Sequence, residues 1–269
     1  MPILRQWNDL AELMPTVESA RRDVVTVGVK MVTEGLELED HSHHKAELLL
    51  GLSGVFRCEV EGGIWIVPPQ SALWVPGGMV HRIAVFGNID SYAAFFQPGA
   101  DAKLPTRCCT LAVTPLLREL IVRSAQFPAD QEVAAIESGV AALLLHEVST
   151  APLGNFHLPM PTDPRLRSIF QDMMTNPADR GTLETWAKRA GFSVRSLERV
   201  IAAETGMSFG RWRQQLSITL SVQWLAGGAS VKQVAGDLGY ENVSSFITMF
   251  RKALGVSPAR FMAERTARH

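Results

Sequence analysis

The C-terminal hundred residues contain one helical unit twice, and this constrains the fold more than any other feature of the chain. Thr182 to Phe192 and Ser230 to Tyr240 align at an offset of 48. After one inserted residue the match continues at an offset of 49, pairing Leu197 with Phe246, Ile201 with Phe250, Gly206 with Gly255 and Ser208 with Ser257. In each copy a small residue, Ala187 or Ala235, lets a second helix cross closely. Four residues later Gly191 or Gly239 is placed to end the first helix in the left-handed conformation. Leu183, Trp186 and Ala190, and then Val231, Val234 and Leu238, have the spacing of a buried helix face. The doubling and the matched tails favour two helix-turn-helix units over an ordinary helical hairpin.

The segment between the copies sets their separation. Ser208 to Ala226 reads as one helix, capped by Ser208, closed by Gly227-Gly228, and burying Trp212, Leu216, Thr219, Leu220 and Trp224. Such a helix spans about 28 Å. With part of a helix diameter added at each end, the two reading helices stand roughly 34 Å apart, one turn of B-DNA, and both fit successive major grooves on one face.

Residues 163 to 265 resemble the DNA-binding domain of the AraC/XylS family of bacterial transcription regulators. The resemblance is carried by Leu183-x-x-Trp186-Ala187-x-x-Ala190-Gly191-Phe192, by Thr205-Gly206-Met207-Ser208-Phe209, by Val234-Ala235-x-x-Leu238-Gly239-Tyr240, and by Leu254-Gly255-Val256-Ser257-Pro258. It implies that Arg195, Ser196 and Arg199 read DNA from the first copy, as the more consistent base reader, and Asn242, Val243, Ser244 and Thr248 from the second. Arginine can meet guanine with two hydrogen bonds, and Asn242 can bond adenine or a phosphate. Ser244 and Thr248 are too permissive to specify a base alone. Arg251 and Lys252 are placed to hold phosphates. Glu198 is either an acceptor for cytosine or a helix-surface partner of Arg195 or Arg199.

Charge divides along the same line. Residues 163–269 hold 15 Lys and Arg against 9 Asp and Glu, whereas residues 1–162 hold 11 against 18. The near-neutral total conceals a basic C-terminal half, suited to phosphates, and an acidic N-terminal half. A length of 269 residues suits two domains. No stretch is long and apolar enough to span a membrane, and the N-terminus lacks a secretory apolar core, so no membrane partner and a cytoplasmic location are expected. Cys58, Cys108 and Cys109 lack disulfide or metal spacing and read as small buried residues, with a redox sensor as the alternative.

The expected organisation is α+β in two domains. Residues 1–150 form a small β-barrel or jelly roll with appended helices; 151–162, rich in Pro, Gly and polar residues, form a linker; 163–269 form an all-α domain of two helix-turn-helix units joined by a long helix. Seven short strands are read between Val24 and Phe96: 24–31, 47–52, 55–60, 64–67, 72–75, 81–86 and 91–96. After Thr114-Pro115 the pattern turns helical, with Leu116, Leu117, Leu120 and Ile121, then Val133, Ile136, Val140, Leu143, Leu144 and Val148. Those helices either pack on the barrel or pair two subunits.

The chemistry of the N-terminal half lies in His41, His43, Glu47 and His81. The first three share parity, so an extended chain turns them to one face, and His81 comes from a later strand. Three imidazoles and one carboxylate suit Zn, Fe, Mn, Ni or Co. His44, of opposite parity, is read as facing solvent. The segment resembles the first cupin motif: Gly35, five residues, His41-x-His43, three residues, Glu47, six residues, Gly54. The second motif is partial, with Pro76-x-Gly78-x-x-His81 intact but Gln70 and Val85 where glycine and asparagine are expected. The bland alternative is that the histidines bond an organic ligand or one another. Phe56, Trp65, Trp74 and Phe95 are candidates for a pocket lining, or for plain core.

The leading functional expectation is a non-enzymatic DNA-binding regulator whose cupin half senses a small molecule or metal ion, working as a homodimer with double-stranded DNA and with RNA polymerase as a further partner. The alternative is a metal-dependent cupin dioxygenase or isomerase fused to a DNA-binding tail. The fusion argues against it, because a sensor must be tethered to its output whereas an enzyme rarely gains from tethering to DNA.

Overall fold

A computed structural model describes residues 3–4, 8–67, 71–128, 134–154 and 157–266. Gln70, Val133, Asn155 and Phe156, which entered the readings above, lie outside the described residues. The chain divides into two compact units, one of Met1–Val60 with Val67–Phe156, the other of Glu61–Ile66 with His157–His269.

In chain order the elements are β1 (Ile3–Leu4), α1 (Asn8–Ser19), β2 (Val24–His41), β3 (Ala46–Val60), β4 (Gly63–Val67), β5 (Ser71–Val75), β6 (His81–Phe96), β7 (Cys109–Ala112), α2 (Pro115–Ser124), α3 (Ala135–Thr150) and β8 (His157–Pro159). Helices α4 (Pro164–Thr175), α5 (Leu183–Arg189), α6 (Val194–Thr205), α7 (Phe209–Ala226), α8 (Val231–Asp237), α9 (Val243–Leu254) and α10 (Pro258–Thr266) follow. The protein is a mixed α+β chain with a helical C-terminal region. Among the described residues no helix is long and apolar enough to cross a membrane.

In the first unit β2 and β3 flank β6 in antiparallel register, β5 lies on the other side of the first half of β3, β7 pairs with β5, and β1 runs parallel to β2. Pairs read as separate strands, 47–52 with 55–60 and 81–86 with 91–96, are single long strands here. Register shifts between Gly51 and Val55 and between Thr33 and Leu36 bend the ladder without ending it. Gly54 sits at the bend with φ of 76°, and a side chain there would meet Ile89.

Strand alternation sorts the side chains. Leu48, Leu50, Leu52, Trp74, Tyr92, Ala94 and Phe96 face a core that α2 and α3 complete with Leu117, Leu120, Ile121, Leu144, Leu145 and Val148. Their neighbours of opposite parity, Leu49, Ala93 and Phe95, face a cavity. Leu116, Ile136 and Leu143, read with the apolar faces of these helices, are instead exposed. The helix α1 was absent from the strand reading of the N-terminal half. Its signal is the spacing of Leu13, Met14 and Val17, interrupted by Pro15.

The second unit is built as the repeat implies. Thr182, Ser193 and Ser208 cap α5, α6 and α7; Ser230 and Asn242 cap α8 and α9 in the second copy. The amide of Phe192 donates to Ala187 O and that of Tyr240 to Ala235 O, both at 2.9 Å, so the two turns are closed by the same bond. Gly191 and Gly239 have φ of 69° and 72°. Helix α7 buries Trp212, Leu216 and Thr219 as expected. Leu220 and Trp224 are only half-buried, and Ile218, Ser221, Val222 and Leu225 are buried as well, because this helix is covered on several sides. Within this unit β8 pairs with β4, and Trp212 Nε1 donates to Pro159 O at 2.7 Å. In the first unit Gly154 N donates to Thr110 O at 2.7 Å. The segment read as a linker is thus hydrogen-bonded through backbone groups, which composition does not reveal.

Candidate ligand cavity and nucleic-acid interface

The histidine cluster is assembled by a turn and a crossing strand rather than by one extended segment. Strand β2 ends at His41, residues 42–45 turn, and β3 starts at Ala46. Parity across 41, 43 and 47 therefore does not align these groups; the turn does. His41 is the register partner of His81 across β2 and β6. The loop before His81 packs on the turn: Gly78 N donates to His43 O at 2.8 Å, and a side chain at Gly77 would collide with His44 O.

Ligand atoms of His43, Glu47 and His81 lie within 4.8 Å of one another, and all three residues are buried. His43 Nε2 is 3.2 Å and His81 Nε2 3.4 Å from Glu47 Oε2. His41 stands beside this trio, its ring centroid 4.2 Å from that of His81 and 6.3 Å from that of His43. In all three histidines Nδ1 bonds a backbone carbonyl: Glu39 O for His41, Lys45 O for His43 and Met79 O for His81, at 2.8, 2.6 and 2.9 Å. When neutral, His41 and His81 so held carry the proton on Nδ1 and leave the Nε2 lone pair free, whereas His43, whose Nε2 also bonds Glu47 Oε2, carries a proton on both nitrogens when it donates both bonds. Among the described residues His81 Nε2 has no hydrogen-bond partner.

Burial alone would raise the Glu47 carboxyl, but the hydrogen bond from His43 and the neighbouring His81 outweigh it and hold the group at about 2. Burial pushes His43 down, yet its bond to Glu47 and that carboxylate's charge carry it above its ordinary value. His41, without such a partner, is lowered by burial. Burial raises all three thiols, Cys109 to about 11, the opposite of what a reactive thiolate needs.

His41, His43 and Glu47 line a cavity of about 710 Å³ walled by Val29, Leu49, Ile83, Ala93 and Phe95, with His44 exposed and also lining it. Phe95 is the only one of the four aromatic candidates in this wall. Trp74 belongs to the core under α2 and α3, with Nε1 bonded to Pro105 O, Trp65 stacks on His157 at 4.2 Å, and Phe56 is buried away from the cavity. Parity separates them: Trp74 points to the face opposite Phe95. Met14, Pro15 and Glu18 of α1 close the cavity from another side and were not foreseen.

In the helical unit Arg195, Arg199, Asn242, Ser244, Thr248, Arg251 and Lys252 are exposed, and Ser196 and Val243 are half-buried. Two candidate readers have other work. Asn242 Oδ1 accepts from Ser245 N at 2.8 Å as the cap of α9, leaving its amide N–H groups for DNA. Ser196 Oγ accepts from Ser193 Oγ at 2.9 Å.

A family profile described as a helix-turn-helix domain matches residues 186–264. The HTH-type transcriptional regulator NimR of Escherichia coli (strain K12) is 39% identical over 234 residues, which cover 87% of this chain and 85% of NimR. The HTH-type transcriptional regulator RipA of Corynebacterium glutamicum is 34% identical over 122 residues, 45% of this chain and 35% of RipA. Among solved structures, the DNA-binding domain of AdpA in complex with a target DNA covers 40% of this chain and 97% of its own at 28% identity, with a TM-score of 0.37. Similarity to a regulator along most of both chains, joined to a doubled helix-turn-helix with its turns closed by the same bond, makes this protein a DNA-binding transcription regulator rather than an enzyme; the chain belongs to the AraC/XylS family.

Proposed function

We propose that the N-terminal unit is a cupin-type sensor, and that a divalent transition metal (Zn, Fe, Mn, Ni or Co) and a small molecule in its cavity set the DNA-binding state of the helical unit. The observation that carries this reading is the convergence of His43, Glu47 and His81 beside a cavity that His43 and Glu47 line, with Nδ1 of each imidazole held by a backbone carbonyl and Nε2 turned toward Glu47. The donor set fits a borderline metal, and the unpartnered His81 Nε2 is a buried lone pair that such an ion satisfies. His43, Glu47 and His81 would hold it, with His41 adjacent. The bound ion would supply a Lewis-acidic position open to the cavity. The carbonyls of Lys45 and Met79 keep the rings oriented.

On the output side, Arg195 and Arg199 read bases, with Ser196 beside them. Asn242, Val243, Ser244 and Thr248 make the weaker second reading surface, and Arg251 and Lys252 hold phosphates. The active form is a homodimer paired through α2 and α3, where Leu116, Ile136 and Leu143 remain exposed. RNA polymerase is the partner through which activation would act.

The test is metal analysis of the untagged full chain together with a gel shift on its own upstream DNA, with and without chelator. Stoichiometric metal in the wild type, absent in His43→Ala, supports the site. Absence of metal after reconstitution overturns it, and a shift indifferent to chelator overturns the control by metal.

A further inference from the structure

The two reading heads are joined by more than α7. The loop of residues 176–182, between α4 and α5, is held from three sides. On the first head Trp186 Nε1 donates to Gly181 O at 3.1 Å, and Arg189 Nη1 to Asp179 Oδ2 at 2.8 Å. From α7 the Arg213 guanidinium forks onto two carbonyls, Gly181 O and Asp179 O, each at 2.7 Å. On the second head Arg180 Nε donates to Leu238 O at 3.0 Å, and its guanidinium lies 4.0 Å from the centre of the Tyr240 ring. Gly239 packs on the backbone of Ala178, too closely for a side chain. A loop that opens the first head thus grips the turn of the second. Arg165, in α4, covers the matching ring of the first turn, its guanidinium 4.1 Å from the centre of the Phe192 ring. Helix α4 and the loop after it therefore bridge both turns.

Two bodies on the ends of one helix can swing as the helix bends or its end pivots, and here α7 passes to α8 through Gly227 and Gly228. A second strut removes that freedom. This matters because the second head carries short polar readers, whose contacts repay their cost only when the head arrives already oriented. We propose that Arg180 is a positioning residue for DNA recognition: by clamping the turn of the second head to the loop of the first, it fixes the spacing and phase of the two half-sites that the protein accepts, without itself reading a base. The inference rests on both heads engaging one duplex. Arg180 is exposed, so a phosphate contact is the competing role. Loss of a phosphate contact weakens every duplex alike, whereas loss of a clamp erases the dependence on spacing.

Duplexes selected from a random-sequence pool by the full chain, and then footprinted, define the two half-sites. Inserting or deleting one base pair between them displaces one half-site by about 3.4 Å and about a tenth of a turn. Wild-type affinity should fall about tenfold with that change, to the level of a duplex carrying the first half-site alone. Arg180→Ala should lose about tenfold on the original duplex, respond to spacing by no more than about twofold, and bind the single half-site as the wild type does. Arg180→Lys, which keeps a cation for the ring and a donor for Leu238 O, should recover most of the spacing preference. Should Arg180→Ala melt well below the wild type, Arg180→Met keeps the apolar stem and is held to the same outcomes. A wild-type spacing profile in Arg180→Ala, or an equal loss on the full and single-site duplexes, overturns the clamp. A wild-type footprint with one half-site only overturns the two-headed reading itself, and the clamp with it.

Discussion

His81 Nε2 stands 3.4 Å from Glu47 Oε2 with no hydrogen-bond partner among the described residues. A lone pair left facing a carboxylate is repelled unless a proton or a cation lies between them. We predict that His81→Ala lowers cobalt or zinc affinity by more than the 10–100-fold that loss of a supporting shell costs. The visible spectrum of the cobalt-loaded protein reads this directly, and unchanged affinity would remove His81 from the site.

The chelated protein should lose stability on the alkaline side. Glu47 is held at about 2 against an ordinary 4.5, so its contribution is present above 4.5 and is lost as pH falls toward 2. His43 is raised above 6.5, so its contribution is full below 6.5 and is lost as pH rises through its folded value. For this site the melting temperature of chelated protein is greatest between these limits and declines above 6.5. Metal binding runs the other way, strengthening as the imidazoles deprotonate. Thermal melts across this range, with His43→Gln as the reference that lacks the alkaline decline, test the sign.

The two turn glycines should respond unequally to alanine. Both have left-handed φ, 69° at Gly191 and 72° at Gly239, but a methyl group at Gly191 meets nothing whereas one at Gly239 meets backbone atoms of Ala178. Gly191→Ala should cost about 1–3 kcal/mol from backbone strain alone. Gly239→Ala should cost about 1–3 kcal/mol more from the collision. Denaturant titration of the helical unit's transition in the full chain measures the difference, and equal costs would refute it.

Reading and capping can be separated at Asn242. An aspartate there retains an oxygen for Ser245 N, so Asn242→Asp should keep the fold while its charge weakens DNA binding. Arg195→Ala or Arg199→Ala should relax sequence preference by about 1–3 kcal/mol at one position. Arg251→Ala should weaken all sequences alike and reduce the salt slope by about 1. Binding isotherms at several salt concentrations distinguish these effects.

Ile136 and Leu143 on α3 are 64% and 48% exposed. If they pair two subunits, Leu143→Glu converts dimer to monomer in sedimentation experiments without lowering the melting temperature of the monomeric fold. An unchanged sedimentation coefficient would place the pairing surface elsewhere.

The sequence by itself determined the helix-turn-helix pair, because its defining interactions are local. Ala187 O and Phe192 N, like Ala235 O and Tyr240 N, are joined within one turn of chain, and glycine and cap residues mark the boundaries. It also named the histidines and Glu47. What it missed was sidedness and remote assembly. Alternation puts Trp74 and Phe95 on opposite faces, but only the packing of α2 and α3 decides which face becomes core and which is left as cavity. A four-residue turn, not strand parity, brings His43 to Glu47. Glu18 reaches the cavity because α1 folds back beside it, a contact across 26 residues to His44 that no local pattern encodes. Local hydrogen bonds can be read from neighbouring residues. A cavity is the space that distant elements fail to fill, and only their packing determines it.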